Sequence, residues 1–230
     1  MNEKSNMYEF VGRTTNPLGG ECAHKCTYCY VERLKDRFPA MKKKYSGDPY
    51  LVKSWVAPYS KEVDIVFVES CGDLFAANVP DDIIENILKR LADEKGTLLF
   101  QTKNPVRYSD FLHLIPEGSI LVTTIESRNW HEQMGNAPFP EQRADDFANV
   151  ITKIHSRQVT IEPIMDFFSV DRFVSLIKFI DPDQVNIGAD SGRNNLPEPS
   201  SEKIRALIAE LEKFTTVVKK KNLKRLLPDG

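Results

Sequence analysis

From residue 63 onward, short apolar runs rich in β-branched residues alternate with longer stretches whose apolar positions recur every three or four residues. The runs at Val63 to Val68, Thr97 to Phe100, Ser119 to Ile125, Gln158 to Ile161 and Gln184 to Ile187 are too short for helices and predict strands. A weaker strand is predicted over Tyr8 to Arg13. Between them, Ile83, Ile84, Ile87, Leu88 and Leu91 form one helical face that ends before Gly96. Asn104-Pro105 reads as a cap and first-turn proline opening a short helix to Leu114. Phe147, Val150, Ile151 and Ile154 mark a further helix, and Val170, Phe173, Val174 and Ile177 another, capped by Ser169. Ile204, Leu207, Ile208 and Leu211 mark the last, after Ser200 and Ser201.

Strands that alternate with helices imply a parallel sheet with right-handed crossovers. Six such units predict an α/β fold, a partial (β/α)6 barrel of parallel strands, with a doubly wound open sheet as the alternative. A chain of 230 residues, 41% of them hydrophobic, suits one domain over 1–230, with a loop at 16–30 and a basic C-terminal tail at 219–230. The turn-rich stretch at 190–200 is read as a connection within that domain.

Polar residues stand where each strand ends: Glu69-Ser70, Gln101-Thr102-Lys103, Glu126-Ser127, Glu162 and Asp190-Ser191. In a parallel barrel these ends share one rim, where loops converge and ligands bind. Glu162, directly after a buried strand, needs a partner. The long loop at 127–143, with Trp130 and His131, is expected to form a substrate lid on that rim.

A net charge of -2 gives no global attraction to nucleic acid or anionic membrane. No apolar run approaches the roughly 18 residues of a membrane span, and the first residues lack a signal-peptide core, so a cytoplasmic protein is expected. In that reducing compartment, clustered cysteines are metal ligands or redox groups rather than disulfide partners. Three of the four cysteines, Cys22, Cys26 and Cys29, lie in CAHKCTYC with spacing C-x3-C-x2-C. A closed zinc site needs a fourth ligand, for which His24, His113, His131, His155, Cys71 or a carboxylate would serve. Three thiolates on a 4Fe-4S cluster instead leave one iron free to bind a small molecule.

The spacing, with aromatic Tyr28 before the third cysteine, resembles the signature of radical S-adenosylmethionine (AdoMet) enzymes. The stretches CAHKCTYCYVE, FVESCGD, FQTKN and VTTIES are similar to those of the spore photoproduct lyases, which reverse a thymine dimer in DNA. NP, DLF (73 to 75), TKNP (102 to 105), IEP (161 to 163) and GADSG (188 to 192) also resemble a phage-associated radical AdoMet family. The resemblance runs from Asn16 to Gly192 and implies that Cys22, Cys26 and Cys29 hold a 4Fe-4S cluster, which cleaves AdoMet to a 5'-deoxyadenosyl radical. It implies Lys103 at the AdoMet carboxylate, Thr124 and Glu126 at the ribose, Gly72 and Ser70 near the amino group, and Tyr28 at the adenine edge, with Glu162 among the cofactor contacts. It implies Cys71 as a hydrogen-atom donor assisted by Tyr30, and an electron donor such as flavodoxin or ferredoxin. In place of the usual GGE stretch this chain has ESCGD at 69–73, and the DNA-engaging hairpin of the lyases has no clear counterpart.

A nucleic acid base or nucleotide is the substrate class the resemblance implies. KKK at 42–44 and KKKNLKR at 219–225 are candidate phosphate contacts, with Tyr45, Tyr50, Trp55 and Tyr59 as stacking groups. The alternatives are a zinc-binding nucleic-acid module without enzymatic activity, and a radical AdoMet enzyme acting on a peptide or small metabolite.

Overall fold

The apolar runs become neighbouring strands of one parallel sheet in the computed structural model, which describes residues 8–57, 61 and 64–228. The strands are β1 (Arg13–Thr15), β4 (Ile65–Val68), β5 (Thr97–Thr102), β6 (Ile120–Thr124), β7 (Ser156–Ile161), β8 (Gln184–Ile187) and β9 (Thr216–Lys219), side by side in that order. Every neighbouring pair is parallel. A two-strand hairpin pairs β2 (Leu18–Gly19) with β3 (Tyr50–Leu51) beside β1.

The helices are α1 (Tyr30–Arg37), α2 (Pro39–Lys44), α3 (Asp81–Leu91), α4 (Val106–Phe111), α5 (Pro140–Ala148), α6 (Val170–Ile180) and α7 (Ser201–Leu211). Because strand order follows chain order without reversal, right-handed crossovers put the helices on one face of the sheet. The doubly wound alternative requires a reversal and is excluded. The result is an α/β half-barrel of six strand–helix units completed by β9, open between β1 and β9 among the described residues.

Strand alternation divides the interior in two. Val66, Val68, Leu98, Phe100, Leu121, Val159, Ile161, Val185 and Ile187 face the helices and pack with Ile84, Ile87, Leu88, Phe147, Phe173, Ile177, Leu207 and Leu211. Each such aliphatic side chain contributes about 1.5–3 kcal/mol by leaving water. On the opposite face a smaller cluster of Phe67, Leu99, Ile120 and Val122 is covered by Tyr8 and Val11. The Tyr8 hydroxyl donates to Gln101 Oε1 at 2.6 Å. Tyr8 to Val11 therefore cover the sheet, and the first strand lies later, at Arg13–Thr15.

Ser169 and Ser200 cap α6 and α7 as expected, accepting from the amides of Arg172 and Lys203 at 3.3 Å each. Asn104 does not cap α4; its side chain donates to the Phe75 carbonyl at 2.9 Å, and the helix starts after Pro105. The helix expected around Phe147 to Ile154 lies earlier, because Pro140 opens α5 and its buried stripe is Pro140, Arg143, Ala144 and Phe147. Ile151 and Ile154 are exposed beyond its end. The basic tail is part of the fold: β9 completes the sheet, and a 3-10 turn follows at Lys221–Leu226. Val63 and Tyr59 lie outside the described residues.

Candidate functional site

The three-cysteine segment runs from β2 to α1 beside the carboxyl ends of the strands, with Cys29 at the N-cap of α1. Its backbone is held by the loop expected to be a lid. Thr27 N donates to Gln133 O at 3.0 Å, Asn136 N to His24 O at 2.6 Å, and Cys26 Sγ to Met134 O at 3.4 Å. Those contacts make the 131–136 stretch a buttress under the cysteines instead of a lid, with Met134 fully buried and Trp130 exposed. Gly135 has φ +62°, and a Cβ there would lie 2.3 Å from His24 O and 2.5 Å from Lys25 O. Gly135→Ala is therefore expected to cost at least about 2 kcal/mol and to loosen the cysteine loop. Urea unfolding with thiol-labelling rates would check this, and labelling at the wild-type rate would contradict it.

Cys22 and Cys29 have their pKa pushed up by burial, and the neighbouring thiols add to the shift, as expected of sulfurs gathered on one loop. Among the described residues no three His, Cys, Asp or Glu side chains converge to hold a single metal ion. Of the proposed fourth zinc ligands, His24 is engaged elsewhere: its Nε2 lies 2.7 Å from Asp73 Oδ2. Asp73 also accepts from Thr102 Oγ1 and Lys103 N, each at 2.9 Å. Burial opposes its charge, but those donors hold its carboxyl below the ordinary range. With His24 committed to Asp73, the donor set on the loop itself is three thiols, which is compatible with a cluster held by three cysteines.

Beside Cys26 stands a buried ionic network. Glu126, at the end of β6, accepts through Oε1 from Lys103 Nζ and the Tyr28 hydroxyl, and through Oε2 from Arg143 at 2.7 Å. Lys103 also donates to the Tyr28 hydroxyl and lies over its ring, 4.7 Å from the centroid. Burial resists ionisation of Glu126, yet Arg143 and Lys103 outweigh it and hold the carboxyl down to about 2. Burial works likewise against the charge on Lys103, but Cys26 and Glu126 raise its pKa above the usual value. Thr124 Oγ1 accepts from Gln101 at 3.1 Å.

At the end of β4, the Tyr30 hydroxyl donates to Ser70 O at 2.7 Å and reaches Cys71 Sγ at 3.4 Å. Asn16 Oδ1 accepts from Cys71 N at 3.0 Å and Ser70 Oγ at 3.2 Å, fixing the segment. Tyr45 borders the same group and, with Cys71 as neighbour, has its pKa raised by burial. A Cβ on Gly72 would sit 3.1 Å from Glu69 Oε1.

The structure thus joins Cys71 with Tyr30 and Ser70, and joins Lys103, Glu126 and Tyr28. Glu162 is held apart from both groups by Lys220 and by Asn222, whose amide donates to it at 2.7 Å. Arg143, Asp73 and Asn16 are participants to which sequence reasoning gave no role, whereas Glu69 stood among the expected rim residues. An arginine inside the buried stripe of α5 is the signal that would have found the first.

Two expected nucleic-acid features change. Tyr45 and Trp55 are buried, so neither offers a stacking face, while Tyr50 is exposed. Within 219–225, Lys219 pairs with Glu212, Lys220 with Glu162, Lys221 with Glu9 and Arg225 with Glu198. Lys42 and Lys43 on α2 remain exposed. Among the described residues no helix is long and apolar enough to cross a membrane.

A family model described as "Protein of unknown function (DUF5131)" matches residues 5–206. No curated protein matches the chain. Among solved structures, a spore photoproduct lyase mutant with bound AdoMet and dinucleoside spore photoproduct is similar at 13% identity and a TM-score of 0.45. The similarity covers 87% of this chain and 61% of that one.

Proposed function

The chain belongs to the DUF5131 family of proteins of unknown function, and from that premise we propose that it is a radical AdoMet enzyme. The observation that supports this reading is the meeting, at the carboxyl rim of a parallel half-barrel, of a three-thiol loop with the Lys103–Glu126–Tyr28 network. Cys22, Cys26 and Cys29 would hold a 4Fe-4S cluster, which when bound supplies the electron for reductive cleavage of AdoMet.

Lys103 would hold the AdoMet carboxylate, because its charged end sits beside Cys26. Of the two groups expected at the ribose, Glu126 has both oxygens engaged, whereas Thr124 only accepts from Gln101 and keeps a hydroxyl proton to donate. Ser70 and Gly72 would line the amino-group side. Tyr28 would act through Glu126 and Lys103, to which its hydroxyl is bonded, more than at the adenine.

Cys71 would give a hydrogen atom from its S–H to a carbon radical on the substrate, leaving a thiyl sulfur. Tyr30, with its hydroxyl 3.4 Å from that sulfur, would restore the S–H by giving up its own hydrogen atom. The phenoxyl radical so formed takes an electron from a donor such as flavodoxin or ferredoxin and a proton from water. The substrate class this chemistry suits best is a nucleic acid base or nucleotide, with the exposed Lys42 and Lys43 available to phosphates.

Anaerobic reconstitution with iron and sulfide, followed by dithionite and AdoMet, tests the reading. Formation of 5'-deoxyadenosine and methionine supports it; stoichiometric zinc with no cluster overturns it. Cys71→Ala is expected to leave this cleavage within about twofold of wild type while lowering the correct product at least about tenfold. Product analysis on damaged or modified oligonucleotides checks that split, and an unchanged product pattern removes Cys71 from the chemistry.

A further inference from the structure

Arg143 lies outside every sequence motif yet is fully buried at the centre of the network. Its guanidinium donates to Glu126 Oε2 at 2.7 Å and to the Thr124 carbonyl, and approaches Met134 Sδ at 3.5 Å. It grips Glu126 from the side opposite Lys103. The Tyr28 hydroxyl donates to Glu126 Oε1 beside Lys103. Among these hydrogen-bonded side chains one carboxylate therefore faces two cations, an excess of one positive charge that Glu126 does not compensate and that faces Cys26 on the loop. Asp73 meets Lys103 only at its backbone amide, and its other hydrogen bonds go to His24 and Thr102, not to the Lys103 ammonium or the Arg143 guanidinium.

The excess has a place to act. The side chains of Glu126 and Arg143 are both 0% exposed, whereas that of Lys103 is 15% exposed. Without Arg143, Lys103 and Glu126 would form a closed one-to-one pair with little attraction for a further anion. With it, Glu126 is satisfied from behind and the charge of Lys103 is available to a newcomer.

We propose that Arg143 is a positioning residue that leaves Lys103 uncompensated for a carboxylate-bearing ligand at the cysteine loop. The identity of that ligand as AdoMet rests on the function proposed above; the charge excess rests on the three side chains themselves.

Calorimetric titration of the reconstituted protein with AdoMet, and separately with L-methionine, tests this. Arg143→Gln keeps donors but removes the charge, and is expected to weaken AdoMet binding at least about tenfold, while Arg143→Lys stays within about threefold of wild type. Glu126→Gln combined with Arg143→Gln restores the single excess charge, and affinity is expected to return to within about threefold of wild type. A purely structural role for Arg143 predicts no such rescue. If Arg143→Gln does not fold, Glu126→Gln alone and the double variant carry the comparison: both bind, the single variant at least as tightly. Unchanged affinity in Arg143→Gln, a double variant as weak as Arg143→Gln, or Glu126→Gln weaker than the double variant overturns the assignment. Methionine binding that follows this charge pattern, without AdoMet binding, keeps the assignment and sinks the AdoMet reading. No binding of either compound to wild type overturns both.

Discussion

Alanine at Cys22, Cys26 or Cys29 is expected to abolish iron and sulfide incorporation and to lower 5'-deoxyadenosine formation by about a hundredfold or more, to background. The three thiols are not equivalent in how they are held. Cys26 is tied to the Met134 carbonyl, Cys29 begins α1, and Cys22 lies nearest the hairpin side of the loop. Even so, each variant should fail, because a three-thiolate set has no spare ligand: His24 is committed to Asp73, and Cys71 is fixed by Asn16 and Tyr30 at the end of another strand. Cys71→Ala is the matched control and should bind wild-type amounts of iron. Iron and acid-labile sulfide per chain, with cleavage products, are the readout. Any one loop variant that keeps full cluster content and cleavage would refute the ligand set, and loss of iron in Cys71→Ala would move the fourth cysteine into it.

The legible parts of the molecule are those governed by local pattern. The stripe Ile84, Ile87, Leu88 and Leu91 is visible as a period, and its helix forms as read. The three clustered cysteines are visible as a spacing, and the pairing of Tyr30 with Cys71 follows from resemblance and is matched by a 3.4 Å contact. What stayed hidden depends on tertiary encounter. Glu126 and Arg143 are 17 positions apart and meet only because α5 folds back over β6. The loop carrying Met134 becomes a buttress because Gly135 allows it to touch the cysteine backbone, which no periodicity records. Strand β9 was missed because TVVK lies at a sheet edge, half exposed and followed by lysines, so its pattern reads as polar. Trp55 shows the same limit from the other side, since its indole N–H finds Thr15 Oγ1 at 2.8 Å and turns an apparent stacking group into core.

Glu69→Gln is expected to flatten a loss of stability that the wild-type protein undergoes as pH rises. Glu69 is 1% exposed, with Oε2 accepting from the Leu18 amide at 2.8 Å and Oε1 without a partner among the described residues. The pocket it borders with Cys22, Tyr45, Gly72 and Asp73 measures about 10 Å³, room for roughly one water, so ionisation cannot recruit a solvation shell. Burial accordingly pushes its pKa up to about 8, with the Leu18 amide and Lys44 opposing the shift and Asp73 adding to it. The sign follows from which state holds the proton. In the ordinary carboxylate range and below, folded and unfolded chains are both protonated at Glu69 and pH has no effect through it. Between that range and about 8 the unfolded chain releases the proton while the folded chain keeps it, so native stability falls with rising pH and levels off above 8. By pH 7 the difference amounts to about 3 kcal/mol. Burial lowers the pKa of His155, whose contribution runs the other way and is lost as pH falls, but it is common to both proteins and cancels. Urea unfolding of wild type and Glu69→Gln from pH 4.5 to 8.5 should give curves that diverge steadily, with the variant favoured at the alkaline end. A buried amide penalty would shift the whole variant curve without changing its slope. Parallel curves would mean that Glu69 is ionised in the native state, and that a cation or ordered water beside Cys22 compensates it.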